Sequence, residues 1–164
     1  MNETNLTGAG ILPIIKKNEI NQNKLVTNYY VILYYEKFKK KYEDLGGGID
    51  KKDKNIFNTA SRESYEESAT YLNIDVNTLK KCKYVRIKNY VCFIVQINNF
   101  DINKGMNMLK QYKNIKHYNE MNNIKIINIK DIINEKTSLP LSNRLIEVIK
   151  GIKNVKTNKI WKNK

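Results

Sequence analysis

Six consecutive residues, Arg62-Glu63-Ser64-Tyr65-Glu66-Glu67, gather three carboxylates and one guanidinium. On a helix, Glu63, Glu66 and Glu67 are related by i,i+3 and i,i+4 and share one face. Like charges at those offsets weaken a helix by roughly 0.2–0.5 kcal/mol per pair. The surrounding chain is strongly basic, with 30 Lys and Arg against 16 Asp and Glu and a formal net charge of +14. A knot of acid in such a chain calls for a hard cation. Carboxylate oxygens suit Mg2+, which binds through one or two carboxylates together with substrate phosphates. The plainer alternative is a solvated acidic face paired with nearby lysines.

The spacing on either side of the knot narrows the choice. Residues 48–70 resemble the signature of the Nudix hydrolases, Gly-x5-Glu-x7-Arg-Glu-U-x-Glu-Glu-x-Gly-U, where U is apolar. Gly48 takes the first position, Arg62 and Glu63 the Arg-Glu pair, and Glu66 and Glu67 the Glu-Glu pair, with no gap. Lys54 departs where the first Glu belongs, Ser64 where an apolar residue is usual, and Ala69 and Thr70 where the closing Gly and apolar residue fall. The run Asp44-Leu45-Gly46-Gly47-Gly48 is similar to the family's glycine-rich entry.

The resemblance implies an α/β/α sandwich with a mixed β-sheet between helices and the box as a loop-helix-loop. It also implies Mg2+- or Mn2+-dependent hydrolysis of a pyrophosphate bond in a nucleoside diphosphate linked to another moiety. By matched position, Glu66 and Glu67 are metal ligands. Glu63 is a further ligand or positions the attacking water, Arg62 holds the acids in place, and the Gly48 carbonyl completes the metal site. Family members often take another Glu from outside the box, shortly before a late strand. Glu120 stands in such a place, as a candidate base or extra ligand, with an ordinary surface glutamate as the alternative. Lys54 removes a carboxylate that braces the box, so Asp50 or Asp53 must supply the brace by adjusting the loop. Ala69 matters little if the chain there stays helical.

Substrate-contacting candidates are fewer. Glycines reach backbone conformations closed to other residues, so Gly47, with its neighbours, is expected to let the chain approach a phosphate. Only Arg62, Arg86 and Arg144 are arginines, and a guanidinium fork recognises phosphate and carboxylate in ways an ammonium cannot copy. Arg86 is therefore a candidate substrate contact and Arg144 a residue of interest. Tyr34, Tyr35 and Tyr42 border the expected cleft. Tyr35 is the candidate for stacking on a base, set against core packing.

The elements that must position these residues can be read along the chain. Residues 8–17 read as a strand interrupted at Pro13, which suits an edge or a bulge. Residues 25–36 are β-branched and aromatic and form a buried strand. The box helix is expected over 56–72, capped by Asp53 or Asn55. Two strands follow at 82–88 and 90–97, then a helix over 101–114 weakened by Gly105, and a strand at 124–129. An amphipathic helix begins after Ser142, with Leu145, Ile146, Ile149 and Ile152 facing inward. The chain is expected to be one domain over 1–155 with a basic tail over 156–164.

No apolar run approaches the ~20 residues that span a bilayer, and the start lacks a signal-peptide pattern. The expectation is a cytoplasmic protein, monomer or homodimer, with no membrane partner. Cys82 and Cys92 form no Cys-x-x-Cys motif and read as reduced thiols, and His117 stands alone. The basic balance favours polyanions, although an AT-rich genome also inflates lysine. Three substrate classes follow: capped RNA, a free nucleotide such as a nucleoside triphosphate, dinucleoside polyphosphate or nucleotide sugar, and a diphosphoinositol polyphosphate. The alternative function is an inactive Nudix domain that binds RNA or protein.

Overall fold

The structure is a computed structural model that describes residues 5–156, with the side chains of 153–156 left aside. In chain order the strands are β1 (Gly8–Asn21), β2 (Lys24–Glu36), β3 (Lys41–Glu43) and β4 (Leu45–Gly48). The box helix α1 (Ile56–Glu67) and the short α2 (Val76–Lys81) lead to β5 (Lys83–Ile87) and β6 (Tyr90–Gln96). Helix α3 (Ile102–Tyr112), strand β7 (Met121–Asn128), α4 (Ile129–Ile133) and α5 (Asn143–Lys156) complete the described chain.

Strand β1 is the axis of a mixed sheet in the order β3-β2-β1-β6-β5, with β4 also on β1 and β7 on β2. It runs parallel to β6, while the other pairings are antiparallel. Pro13 therefore lies in the centre of the sheet and not at an edge. Residues 8–11 of β1 pair with β4, and pairing with β2 begins at Ile14. Pro13 falls in the gap between those two partners, where a missing N–H breaks no ladder on that side. Beyond Lys16 the β1–β2 hairpin leaves the core and turns at Gln22 and Asn23, both with positive φ.

Alternation along the strands divides the core in two. Ile11, Ile32, Tyr34 and Phe93 meet the box-helix side, with Ile56, Ala60 and Leu109. Leu12, Ile14, Leu33 and Cys92 meet the other side, with Ile129, Leu145, Val148 and Ile149. This is the expected sandwich. Val148 is buried where Ile146 was expected to be, and Ile146 is half-buried. Ser142 caps α5, its hydroxyl accepting from Leu145 N at 3.1 Å.

The box helix is shorter than the expected 56–72. Asn55 caps it, accepting from Phe57 N and Asn58 N at 3.0 and 3.1 Å. It ends at Glu67, and Ala69 and Thr70 take φ of 52° and 70°. The closing Gly of the pattern would adopt that left-handed turn freely. Ala69 adopts it at a cost of roughly 1–2 kcal/mol, so the departure is not the neutral one a continuing helix would allow. No helix among the described residues is long and apolar enough to cross a membrane. Cys82 and Cys92 are free thiols, and Cys92 is buried. The expected tail over 156–164 lies outside the described residues beyond Lys156.

Candidate active site

Arg62 is the hub of the site. Its Nη1 donates to Glu63 Oε1 at 2.8 Å and to Glu66 Oε2 at 3.0 Å. Its Nη2 donates to the Gly48 carbonyl and to Asp53 Oδ2, both at 2.9 Å, and its Nε to Asp53 Oδ1 at 3.2 Å. One side chain of α1 thus ties together the helix, the end of β4 and the loop between them. The brace that Lys54 cannot give comes from Asp53. With Asn55 as the helix cap, Asp53 is free to turn to Arg62. It also accepts from Thr59 Oγ1 at 3.0 Å and from Asp50 N at 2.9 Å. Burial works against its charge, but these hydrogen bonds, Arg62's first, hold its pKa below the ordinary aspartate value.

The glycines matter here for space and not for unusual backbone angles, since no glycine among the described residues has positive φ. A Cβ on Gly47 would lie 2.6 Å from Glu63 Oε1, so the bare strand is what admits that carboxylate. A Cβ on Gly10 or Gly46 would overlap the Tyr90 hydroxyl. Gly46 N donates to Glu67 Oε2 at 2.5 Å.

The three glutamates differ in setting. Glu66 is the most open, with its side chain 28% exposed, against 13% for Glu63. Glu67 is buried. Burial raises the Glu63 pKa; Arg62 works against this, and Glu66 and Glu120 add to it. Burial likewise pushes Glu67 well up, with Glu63 and Asp44 adding repulsion that Arg144 partly offsets. Buried, mutually repelling carboxylates are hard oxygen donors whose charge a divalent cation would relieve. Among the described residues no three acidic, imidazole or thiol groups converge on one point as they stand. Arg62 draws Glu63 and Glu66 to itself while Glu67 turns to Gly46. The donor chemistry fits Mg2+ or Mn2+, with the carboxylates held by protein donors.

A second set of charges lies behind Glu67. Arg144, in the first turn of α5, donates from Nε to Asp44 Oδ1 at 2.8 Å and from Nη2 to Glu43 Oε2 at 2.9 Å. Asp44 also accepts from the Tyr90 hydroxyl at 2.6 Å, and the Arg144 guanidinium stands 4.7 Å from the centre of the Tyr90 ring. Arg144 is thereby a structural charge partner for the strand that carries the glycines. Sequence reasoning singled it out by the scarcity of arginine but could not see its partners, which lie about a hundred residues earlier. Asp44 stood out only as the start of the glycine-rich run, and Tyr90 only as the start of a strand.

The remaining candidates scatter. Glu120 is exposed, and its charge is felt at Glu63. Its carbonyl accepts from Lys37 N at 3.0 Å. Arg86 is on the outer strand β5, separated from β4 by β6 and β1, and its Nε donates to the Lys88 carbonyl at 3.1 Å. Tyr35 points to the face covered by α4 and α5, opposite α1, where its ring meets Tyr42 edge-on at 5.1 Å. Strand alternation gives the box side to Tyr34 instead, so the structure does not bring Tyr35 to the acids.

Compared by sequence, the chain matches no family profile and no curated protein. Compared by structure, it is similar to an Ap4A hydrolase from C. elegans, with a TM-score of 0.55 at 15% identity over 93% of this chain and 98% of that one. It is also similar to a mutT/nudix family protein from Listeria innocua, with a TM-score of 0.53 at 13% identity over 93% and 94%. The fold is that of the Nudix hydrolases. The stretch whose spacing resembles the Nudix box folds here as a loop, the helix α1 and a left-handed turn, and carries Arg62 and the three glutamates.

Proposed function

We propose that the chain is a divalent-metal-dependent pyrophosphohydrolase acting on a phosphate-rich nucleotide or a related polyphosphate. The observation that supports this is Arg62 holding Glu63 and Glu66 on the face of α1 that meets the glycine strand, with Glu67 of the same helix bound to Gly46 N. Glu66 and Glu67, with Glu63 and the Gly48 carbonyl, are the groups that would hold Mg2+ or Mn2+. Bound there, such an ion neutralises diphosphate charge and lowers the pKa of a bound water. Arg62 keeps the carboxylates in place between turnovers, and Asp53 keeps Arg62 in place. Glu63, enclosed by Gly47 and beside Glu120, is the group best set to orient the attacking water. Dinucleoside polyphosphates are among the substrates to try, because the C. elegans neighbour is an Ap4A hydrolase.

The test offers the protein, with Mg2+ or Mn2+, nucleoside triphosphates, dinucleoside polyphosphates, capped RNA, nucleotide sugars and diphosphoinositol phosphates. Turnover of one class, reduced by at least about a hundredfold in Glu66→Gln, supports the reading; removing a transition-state charge contact commonly costs that much. A folded protein that hydrolyses none of them is a binding domain instead.

A further inference from the structure

Beside Glu120 lies a groove of about 380 Å3, lined by Lys37, Lys110, Lys113, Asn114, Asn119 and Asn122 over Leu109 and Met121. One segment joins it to the acid cluster. Glu120 accepts from Lys37 N. Tyr118 packs edge-on against Tyr65 of α1 at 6.2 Å and against Tyr112 of α3 at 5.4 Å. Asn119 and Met121, on either side of Glu120, face the groove.

Charge is concentrated here beyond the general basicity of the chain. Residues 102–119 include Lys104, Lys110, Lys113 and Lys116 and no Asp or Glu, and the loop 37–41 reads KFKKK. Glu36, Glu43, Asp44, Asp53, Glu63 and Glu66 pair with Lys39, Arg62 or Arg144. Lys37, Lys110 and Lys113 take part in none of these pairs and line one cavity. Phe38, the chain neighbour of the lining residue Lys37, is 69% exposed, with Lys37 Nζ 4.7 Å from its ring centre.

A ligand made only of phosphates would use the lysines and leave the rest without purpose. Exposed aromatic faces and side-chain amides are what unpaired bases use, by stacking and by hydrogen bonds to their edges. We propose that this groove binds the single-stranded nucleic-acid part of a substrate whose phosphoanhydride end reaches Glu63, Glu66 and Glu67. The binding surface stands by itself, and only its coupling to hydrolysis rests on the function proposed above.

The test is fluorescence anisotropy of a short labelled single-stranded RNA, without divalent metal, between about 50 and 200 mM salt. Lys110→Gln/Lys113→Gln is expected to weaken binding about tenfold and to reduce the salt slope by about 1.4, at roughly 0.7 per phosphate contact on a single strand. Phe38→Ala is expected to weaken it at least about fivefold with the slope unchanged, as loss of one stacked base would. Lys16→Gln/Lys24→Gln removes the same charge from the β1–β2 hairpin, about 23 and about 40 Å from Glu36 along β2 at ~3.3 Å per residue, and should change affinity less than about twofold. Equal losses in the two double variants, indifference to Phe38→Ala, or no RNA binding by the wild type would each overturn the proposal. Because no metal and no turnover are involved, an inactive protein that passes this test loses the hydrolase reading alone.

Discussion

Lys54 occupies the position where the box pattern has a carboxylate, and Asp53, one residue earlier, grips Arg62 through Nε and Nη2. Its side chain is 5% exposed, so the ion pair is enclosed, and hydrogen bonds to charged groups contribute about 1.5–3 kcal/mol. Asp53→Asn keeps the shape and removes the charge. It should lower Tm at neutral pH by roughly 4–8 °C, at 2–4 °C per kcal/mol for a chain of this size. The folded-state pKa of Asp53 is depressed. Its contribution is therefore complete above the unfolded value of about 3.9 and is lost as pH falls through the lower folded value. Thermal unfolding of both proteins across pH should show the gap closing below about pH 4. A gap that stays constant into acid would mean that Asp53 acts by shape alone.

At the scale of elements, Arg144 fastens α5 to the strands on either side of Asp44. Both of its partners, Glu43 and Asp44, are buried. Removing one member of a buried pair leaves the other uncompensated, at about 3–5 kcal/mol. Taking the lower figure, because Arg144 keeps some exposure, Arg144→Met should lower Tm by roughly 6–12 °C. Arg144→Lys should recover only part of that loss, since an ammonium cannot reach both carboxylates as the fork does. Full recovery by lysine would contradict the bidentate account. This link also marks where sequence reading stopped. The acidic stretch stood out because its spacing is local: Arg62 meets Glu63 and Glu66 through helix spacing alone. Strand β2 and the amphipathic helix after Ser142 followed from apolar pattern, and the sandwich from the family resemblance. What escaped depended on pairings between distant segments. Pro13 looked like an edge residue because nothing local says that β1 exchanges β4 for β2 there. Tyr35 looked available because its face of the strand is set by the partner layer. The end of α1 was misplaced because Ala69 is a good helix former that the fold nevertheless turns left-handed.

For the whole molecule, acid and base share one layer of the sandwich, since Leu109, Met121 and Tyr118 pack in the same cluster as Ile56 and Ala60 of α1. The box helix and the glycine strand concentrate carboxylates on one layer, and the loops at 37–41 and 113–120 bring lysines to its border. Opposite charges side by side suit a substrate that carries an ion at one end and bare phosphates at the other. The central claim is that Glu63, Glu66 and Glu67 form a divalent-ion site. The most direct measurement is a titration of Mn2+ against the protein, following the free ion by its paramagnetic resonance signal, for the wild type and Glu66→Gln. Glu66 is partly exposed, and glutamine keeps its shape, so the variant should stay within a few degrees of the wild-type Tm. Saturable binding by the wild type, weakened at least about tenfold in Glu66→Gln, is the predicted result; loss of one charged ligand is worth about 1.4 kcal/mol or more. Equal Mn2+ affinity in the two proteins, or no binding by either, would contradict it.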